Sequence, residues 1–348
     1  MTKSANSFTI QDVAASASVS IATVSRVLND SAGVAQPTRD AVLAAIERTG
    51  FVPRRRRRSG SARPLPLLQG VIAVRCPYTL THHFGPILSA IAAAAAPHGK
   101  RLLLSSESAD GNESSLSALL FSQATEGAIL ILPPEQPEML AGLQRDGYPF
   151  VVIDPRTPVP ADVAMVSAAH AHGARAVTEH LLGLGHRRIG VIAGPDGWVA
   201  TDARLAGHHA ALAAVELTSS AELIASVTEP DTSHGFEAAL ALLSLPRRPT
   251  AIAAFNDMIA LGCLEAAKSL GLRVPQDVSI AGFDDLDLTR VTVPRLTTVR
   301  QPVEAMGTRG MTLLLQRIVG HPIRTLHVEL PTELIVREST APPQFLGR

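Results

Sequence analysis

The chain has 348 residues, 46% of them hydrophobic, and its formal charges cancel to zero. That composition excludes a disordered or fibrous chain, and the length leaves room for a small domain beside a larger one with its own core. The zero is an average over a split: residues 1–66 hold ten Lys or Arg against four Asp or Glu, a surplus of six that the remainder cancels. A basic end on an acidic body suits a polyanionic partner. No apolar run reaches the ~18 residues of a membrane span, and the first residues form no apolar signal segment, so a cytoplasmic protein is expected. Cys76 and Cys263 stand in no metal-ligand spacing and suggest no disulfide framework.

In chain order, residues 1–8 read as an arm. From Thr9 to Asn29 two short helices follow across a tight turn. Ile10, Val13, Ala14 and Ala17 recur at three- and four-residue spacing and share one face. Thr9 and Asp12 suit the N-terminal end of that helix. Ser18-Val19-Ser20 breaks the period, with Ser20 placed to cap a second helix. There Val24, Val27 and Leu28 turn inward, and Ile21, Ala22, Ser25 and Arg26 outward. A third helix is predicted from about 37 to 49, with Pro37 at its start, Gly50 after its end, and Val42, Leu43 and Ile46 inward. A helix whose outer face is small, polar or basic can enter a DNA major groove. The pattern alone fits an ordinary helical hairpin as well.

Pro53 to Pro66 is a linker by composition, with five consecutive arginines, Arg54, Arg55, Arg56, Arg57 and Arg58, then Ser, Gly and Pro. From Leu67 short apolar runs alternate with helical stretches. Strands are predicted at 70–74, 101–104, 127–132 and 150–154, with helices near 84–98, 112–123 and 136–146. The alternation restarts with strands at 188–193, 223–227, 251–255 and 278–282 and helices near 168–184, 200–216, 233–244 and 257–270. Runs apolar on both faces and spaced by helices indicate parallel sheets covered on both sides. The fold class is therefore a small all-α helix-turn-helix headpiece followed by α/β, with two doubly wound parallel-sheet subdomains and a ligand cleft between them.

The words Thr9-Ile-Gln-Asp-Val-Ala, Val19-Ser20, Thr23-Val-Ser-Arg-Val-Leu-Asn29, Thr38-Arg39 and Gly50-Phe-Val-Pro53 resemble the headpiece of the lactose-repressor (LacI/GalR) family of transcriptional regulators. Leu184-Gly-His-Arg-Arg-Ile-Gly-Val-Ile, Phe255-Asn-Asp, the stretch from Gly271 to Asp285, and Leu296-Thr-Thr-Val-Arg-Gln-Pro302 resemble the periplasmic-binding-protein-like sensor domain of the same regulators. The resemblance extends to about Thr340. It implies domains at 1–53 (headpiece), 54–66 (hinge or linker), 67–340 (sensor) and 341–348 (tail). Within the sensor the family fold implies three crossings, placed near 166, 295 and 325. Subdomain one then takes about 67–166 plus 296–325, and subdomain two about 167–295 plus 326–340, with helix 302–319 in the first and strand 326–337 in the second.

The resemblance also assigns roles. Ile21, Ala22 and Arg26 lie where the family reads base edges, and Ser20, Thr23, Ser25 and Asn29 where it touches phosphates; Ile10 belongs to the same DNA-binding set. Arg26 can pair bidentately with guanine, while Ile21 and Ala22 offer apolar contact. In the linker the family forms a hinge helix whose leucine wedges into the minor groove, but Gly60 stands at that position and disfavours helix. Arg54–Arg58 are therefore expected to grip phosphates or a narrowed minor groove, the alternative being a solvated charge run.

Ligands of open α/β sheets sit beyond the carboxyl ends of strands, which makes Asp154, Asn256 and Asp284 candidates. Positions matching Asp154, Arg204, Asn256 and Asp284 hold the effector in sugar-responsive relatives. Carboxylates accept from hydroxyls, Arg presents a rigid donor fork and Asn does both. Helix capping or pairing across the cleft is the competing role for each. Trp198 could stack on a sugar's C–H face and Phe84 and Phe255 could add walls, with buried packing as the alternative. His82-His83, His170-Ala-His172 and His208-His209 lack zinc spacing, so no metal or other cofactor is expected; His82 or His83 could line the cleft.

These expectations converge on a non-enzymatic, homodimeric regulator, a repressor in sense, that binds a pseudo-palindromic operator and is switched by a small ligand, a mono- or oligosaccharide. The runner-up effector is a purine or similar heterocycle acting as corepressor. A carbohydrate-binding or hydrolytic module is the alternative from another class. The tail after Thr340 is too short for a heptad bundle, which favours a dimer over a tetramer.

Overall fold

A computed structural model describes residues 10–28, 35–49, 70–76, 83–106 and 125–344. The chain divides into two units, Met1–Pro64 and Leu65–Arg348, each with a core of its own. The predicted helix over 112–123 and linker over 54–66 lie outside the described residues.

In the first unit α1 (Ile10–Ser16), α2 (Ile21–Leu28) and α3 (Gln36–Thr49) enclose Val13, Ala14, Val24, Val27, Val42 and Ala45. The turn between α1 and α2 has a physical cause. Ser18 takes φ +53°, Val19 N–H donates to Ala14 O at 3.0 Å and Ser18 N–H to Ala15 O at 3.2 Å. This is the Schellman pattern, which satisfies carbonyls the helix end leaves open. Ser20 then caps α2, its Oγ accepting from Thr23 N–H at 3.1 Å. Arg48 of α3 donates to Ser16 O at 3.2 Å and so ties α3 to the end of α1. One expectation is corrected: Leu43 is 50% exposed, and Ala45 fills the core beside Val42. Residues 42, 45 and 46 share a face at helical spacing, whereas 43 is turned ~100° from 42.

The second unit is built on two parallel sheets. The first runs β11-β5-β4-β3-β1-β2, from β1 (Val71–Cys76), β2 (Arg101–Ser106), β3 (Gly127–Ile131), β4 (Phe150–Ile153), β5 (Met165–Ala168) and β11 (His327–Leu330). Its apolar runs feed both faces by strict alternation. Ile72, Val74, Ile129, Ile131, Val151 and Ile153 pack under α4 (Phe84–Ala95) and α10 (Val303–Ile318). Ala73, Ala128, Leu130, Phe150 and Val152 meet Leu140 and Leu143 of α5 (Pro137–Arg145). Period-two alternation with both faces apolar is what a covered parallel sheet requires.

The second sheet runs β7-β6-β8-β9, from β6 (Ile189–Ala193), β7 (Ile224–Ser226), β8 (Ala251–Ala254) and β9 (Ser279–Ala281). It carries α6 (His170–Gly183) and α7 (Val199–Ala213) on one face, and α8 (Thr232–Leu243) and α9 (Asp257–Ser269) on the other. Against the second lobe an antiparallel ribbon pairs β10 (Thr298–Arg300) with β12 (Glu333–Ile335), its Val299 and Leu334 packing with Val177, Ala281 and Phe283.

The single strand expected over 326–337 is two strands. β11 pairs with β5 of the first sheet in parallel, His327 opposite Met165 through Leu330 opposite Ala168. Val328 and Leu330 turn into the first core while His327 and Glu329 stay exposed. Such alternation makes an edge strand, and Pro331, lacking an N–H, ends it. The last crossing therefore falls at 331–332 instead of near 325.

Candidate functional site

Between the two lobes lies a cleft of about 540 Å³. Its rim is made at the carboxyl ends of strands, where three non-glycine residues hold positive φ: Leu132 (+45°), Asp154 (+53°) and Asp284 (+124°). Such backbone is sparsely allowed and persists only where its surroundings enforce it, which clusters it at binding sites. Phe84, Asp154, Trp198, Arg204, Phe255, Asn256 and Asp284, all singled out from sequence, line this one cavity.

Asp154 follows β4 in the first lobe. Its Oδ1 lies 2.6 Å from Nε2 of the buried His170, the first residue of α6 in the second lobe. Burial pushes the Asp154 carboxyl up, but the hydrogen bond from His170 and the Arg204 charge outweigh that and hold it below the usual carboxylate value.

Arg204 projects from α7. Its guanidinium lies 4.3 Å from the Phe255 ring centre and 3.7 Å from that of Phe283. It donates to Phe255 O through Nη1 and to His170 Nδ1 through Nη2 at 3.2 Å. Burial lowers its pKa, and Asp284, Asp154 and Asp257 pull back the other way. The helix can stand this close to α6 because residue 207 is glycine; a Cβ there would meet Ala171 O at 2.1 Å.

The remaining candidates combine a place on the cleft wall with structural work. Asn256 caps α9, its Oδ1 accepting from Ile259 N–H at 2.9 Å and its Nδ2 donating to Pro230 O at 3.1 Å. The capping role weighed from sequence is thus real, and Asn256 lines the cleft as well. Asp284 accepts from Gln301 Nε2 at 2.6 Å, an arrangement that leaves the buried Gln301 Oε1 without a partner. Behind it, Asp257 accepts from Leu286 N–H at 2.9 Å and Thr298 Oγ1 at 2.6 Å; burial and the Asp284 charge push its pKa well up. Asp285 turns away from the cleft. Its carboxylate takes Arg337 and, at 2.8 Å, Arg300, locking the strand ribbon. Trp198 meets Phe255 edge-on at 6.4 Å and has the Arg156 guanidinium 4.7 Å over its face. Phe84 is buried in the first core with its edge at the cleft.

Sequence reasoning missed Leu132, Arg156, Glu229, Asp231, Met258, Leu286 and Gln301, which also line the cleft. Arg156 stands two residues after Asp154, and Gln301 lies inside one of the family words; both signals were available. His170 was weighed only as a metal ligand. His83 lines the cleft, while His82 lies outside the described residues. Acidic side chains at the wall are Asp154, Glu229, Asp231 and Asp284 against the guanidiniums of Arg156 and Arg204, four against two.

In the headpiece, Ile21 is 45% exposed beside Ser20 and Thr23, whose hydroxyls lie 2.9 Å apart. Ile10 sits on α1, and Ala22, Ser25 and Arg26 on α2; their side chains lie outside the description. So do Asn29 and Arg54, Arg55, Arg56, Arg57 and Arg58 altogether.

Comparison with known proteins agrees with this division. Residues 9–54 match the family "Bacterial regulatory proteins, lacI family", and residues 178–340 match "Periplasmic binding protein-like domain". The HTH-type transcriptional regulator MalR of Streptomyces coelicolor is 35% identical over 95% of this chain and 96% of its own. The solved complex of the transcriptional regulator CelR with cellobiose is 31% identical, with a TM-score of 0.73 over 95% of this chain and 99% of that one. The lac repressor dimer bound to operator and the anti-inducer ONPF is 29% identical, with a TM-score of 0.71 over 97% of this chain and all (100%) of its own. This chain belongs to the lacI family of bacterial regulatory proteins: it is a helix-turn-helix transcriptional regulator with a periplasmic-binding-protein-like sensor domain.

Proposed function

We propose that this regulator is a homodimeric cytoplasmic repressor whose operator affinity is set by an uncharged mono- or oligosaccharide bound between the sensor lobes. The observation that carries the reading is the cleft wall. Acceptors (Asp154, Asp284) and a donor (Arg204) line a volume of about 540 Å³ that Trp198 flanks with an aromatic ring. Hydroxyl-rich ligands use acceptors and donors together, and their C–H faces suit a ring. The excess of two acids opposes phosphorylated or carboxylated effectors. The volume falls within the ~300–1,000 Å³ typical of small-molecule sites. Likeness to a cellobiose-bound regulator supports the same class.

The ligand acts by binding one orientation of the lobes better than the other, which is the only way it can shift the headpieces. Two headpieces then meet half-sites about one helical turn apart. No chemical step on the ligand belongs to this reading. Calorimetry with neutral mono- and disaccharides, sugar phosphates and nucleobases tests it. Heat confined to neutral sugars, with the sugar recovered unchanged, is expected; binding only to nucleobases, or turnover of the sugar, contradicts it.

A further inference from the structure

We infer that His170 is a positioning residue that keeps two opposite charges apart across the sensor cleft and presents both to the effector. The inference rests on the effector reading above and adds a residue that no comparison assigns.

The proton arrangement follows from donor chemistry. A guanidinium has only N–H donors, so the 3.2 Å contact from Arg204 Nη2 obliges His170 Nδ1 to accept. Nε2 must then carry the proton of the neutral ring and donates it to Asp154 at 2.6 Å. One ring thus joins the carboxylate of the first lobe to the guanidinium of the second, and among the described residues no other side chain bonds to both. The ring is 5% exposed and rests against Phe283 at 6.0 Å, so it has little freedom to turn.

His170 lies behind Asp154 as seen from the cleft. It lines a separate chamber of about 320 Å³, whereas Asp154 lines both cavities and Arg204 the main one. It therefore acts through these two residues without touching the ligand. A carboxylate and an arginine facing each other over a gap would otherwise pair bidentately, and a sugar would have to break that pair. The imidazole between them satisfies part of each and leaves their remaining donors and acceptors open.

Two measurements test this on the full chain. Histidine-selective 15N spectra of the ligand-free protein, with the His170 signal assigned by its loss in His170→Gln, should show the Nε2–H tautomer. A protonated Nδ1 on the neutral ring overturns the proposal without any ligand. Calorimetry with cellobiose, maltose and glucose as probes then compares variants. His170→Phe keeps a ring but neither bond, and should weaken the bound probe by about tenfold or more. His170→Gln retains a donor and an acceptor and should stay within about threefold of wild type. Equal losses in both variants, or none in His170→Phe, overturn the positioning role. A wild-type protein that binds none of the probes counts against the effector reading instead, and the tautomer then decides on His170 alone.

Discussion

At the scale of single residues, Arg204 shows how one side chain is fixed by several weak partners. Two aromatic faces, a backbone carbonyl and an imidazole nitrogen each take part of the guanidinium. Only a planar, delocalised cation can stack and donate in this way. Arg204→Lys keeps the charge and loses the stacking, so saccharide affinity should fall on the order of tenfold to hundredfold in calorimetry. Wild-type affinity in that variant would show that charge alone is used. His208 makes a second prediction. Its Nδ1 bonds Thr178 Oγ1 at 3.0 Å, its Nε2 is buried without a partner, and burial lowers its pKa to about 4. The unfolded chain takes up this proton near pH ~6.5, and the native chain resists it until pH is far lower. The stability is thus complete above the unfolded value and is lost as pH falls, by roughly 3 kcal/mol on reaching pH ~4. His208→Gln should flatten denaturant-measured stability between pH 7 and pH 4.5; an unchanged slope would mean that His208 titrates normally.

At the scale of elements, α6 and α7 meet through glycine, and the site depends on it. Gly207→Ala would drive a methyl group into Ala171 O and push α7 outward. A cost of about 1–3 kcal/mol in thermal or denaturant unfolding is expected. Because Arg204 lies one turn before Gly207, saccharide affinity should fall in the same variant. Stability within about 0.5 kcal/mol of wild type, a value ordinary for surface changes, would contradict the packing described. Long apolar runs such as Gly127–Leu132 and Phe150–Asp154 were legible because both faces of their sheet are covered. The short strands Met165–Ala168 and Thr298–Arg300 were not, since three or four residues carry little periodicity. The split of 326–337 was hidden in the same way, as only two apolar residues mark β11 as an edge strand. Asp154, Asn256 and Asp284 were legible because strand ends locate a cleft. His170 was not, because its partners stand 16 and 34 residues away and only the folded lobes bring them together.

At the scale of the whole molecule, charge divides between a basic N-terminal end and an acidic remainder. The five arginines from Arg54 to Arg58 concentrate that charge just before Gly60. Replacing all five with alanine should reduce the slope of log affinity against log salt by roughly 0.9 for each phosphate no longer neutralised. An unchanged slope would assign DNA binding to the three helices alone. Selecting duplexes from a random pool with the 348-residue chain tests ligand-switched operator binding most directly. The selected duplex then competes against a scrambled one at moderate salt, with and without neutral saccharides. A near-palindromic duplex preferred by ~10³-fold or more, with that preference changed by one sugar, is the predicted result. Equal affinity for selected and scrambled DNA, whatever sugar is present, would contradict it.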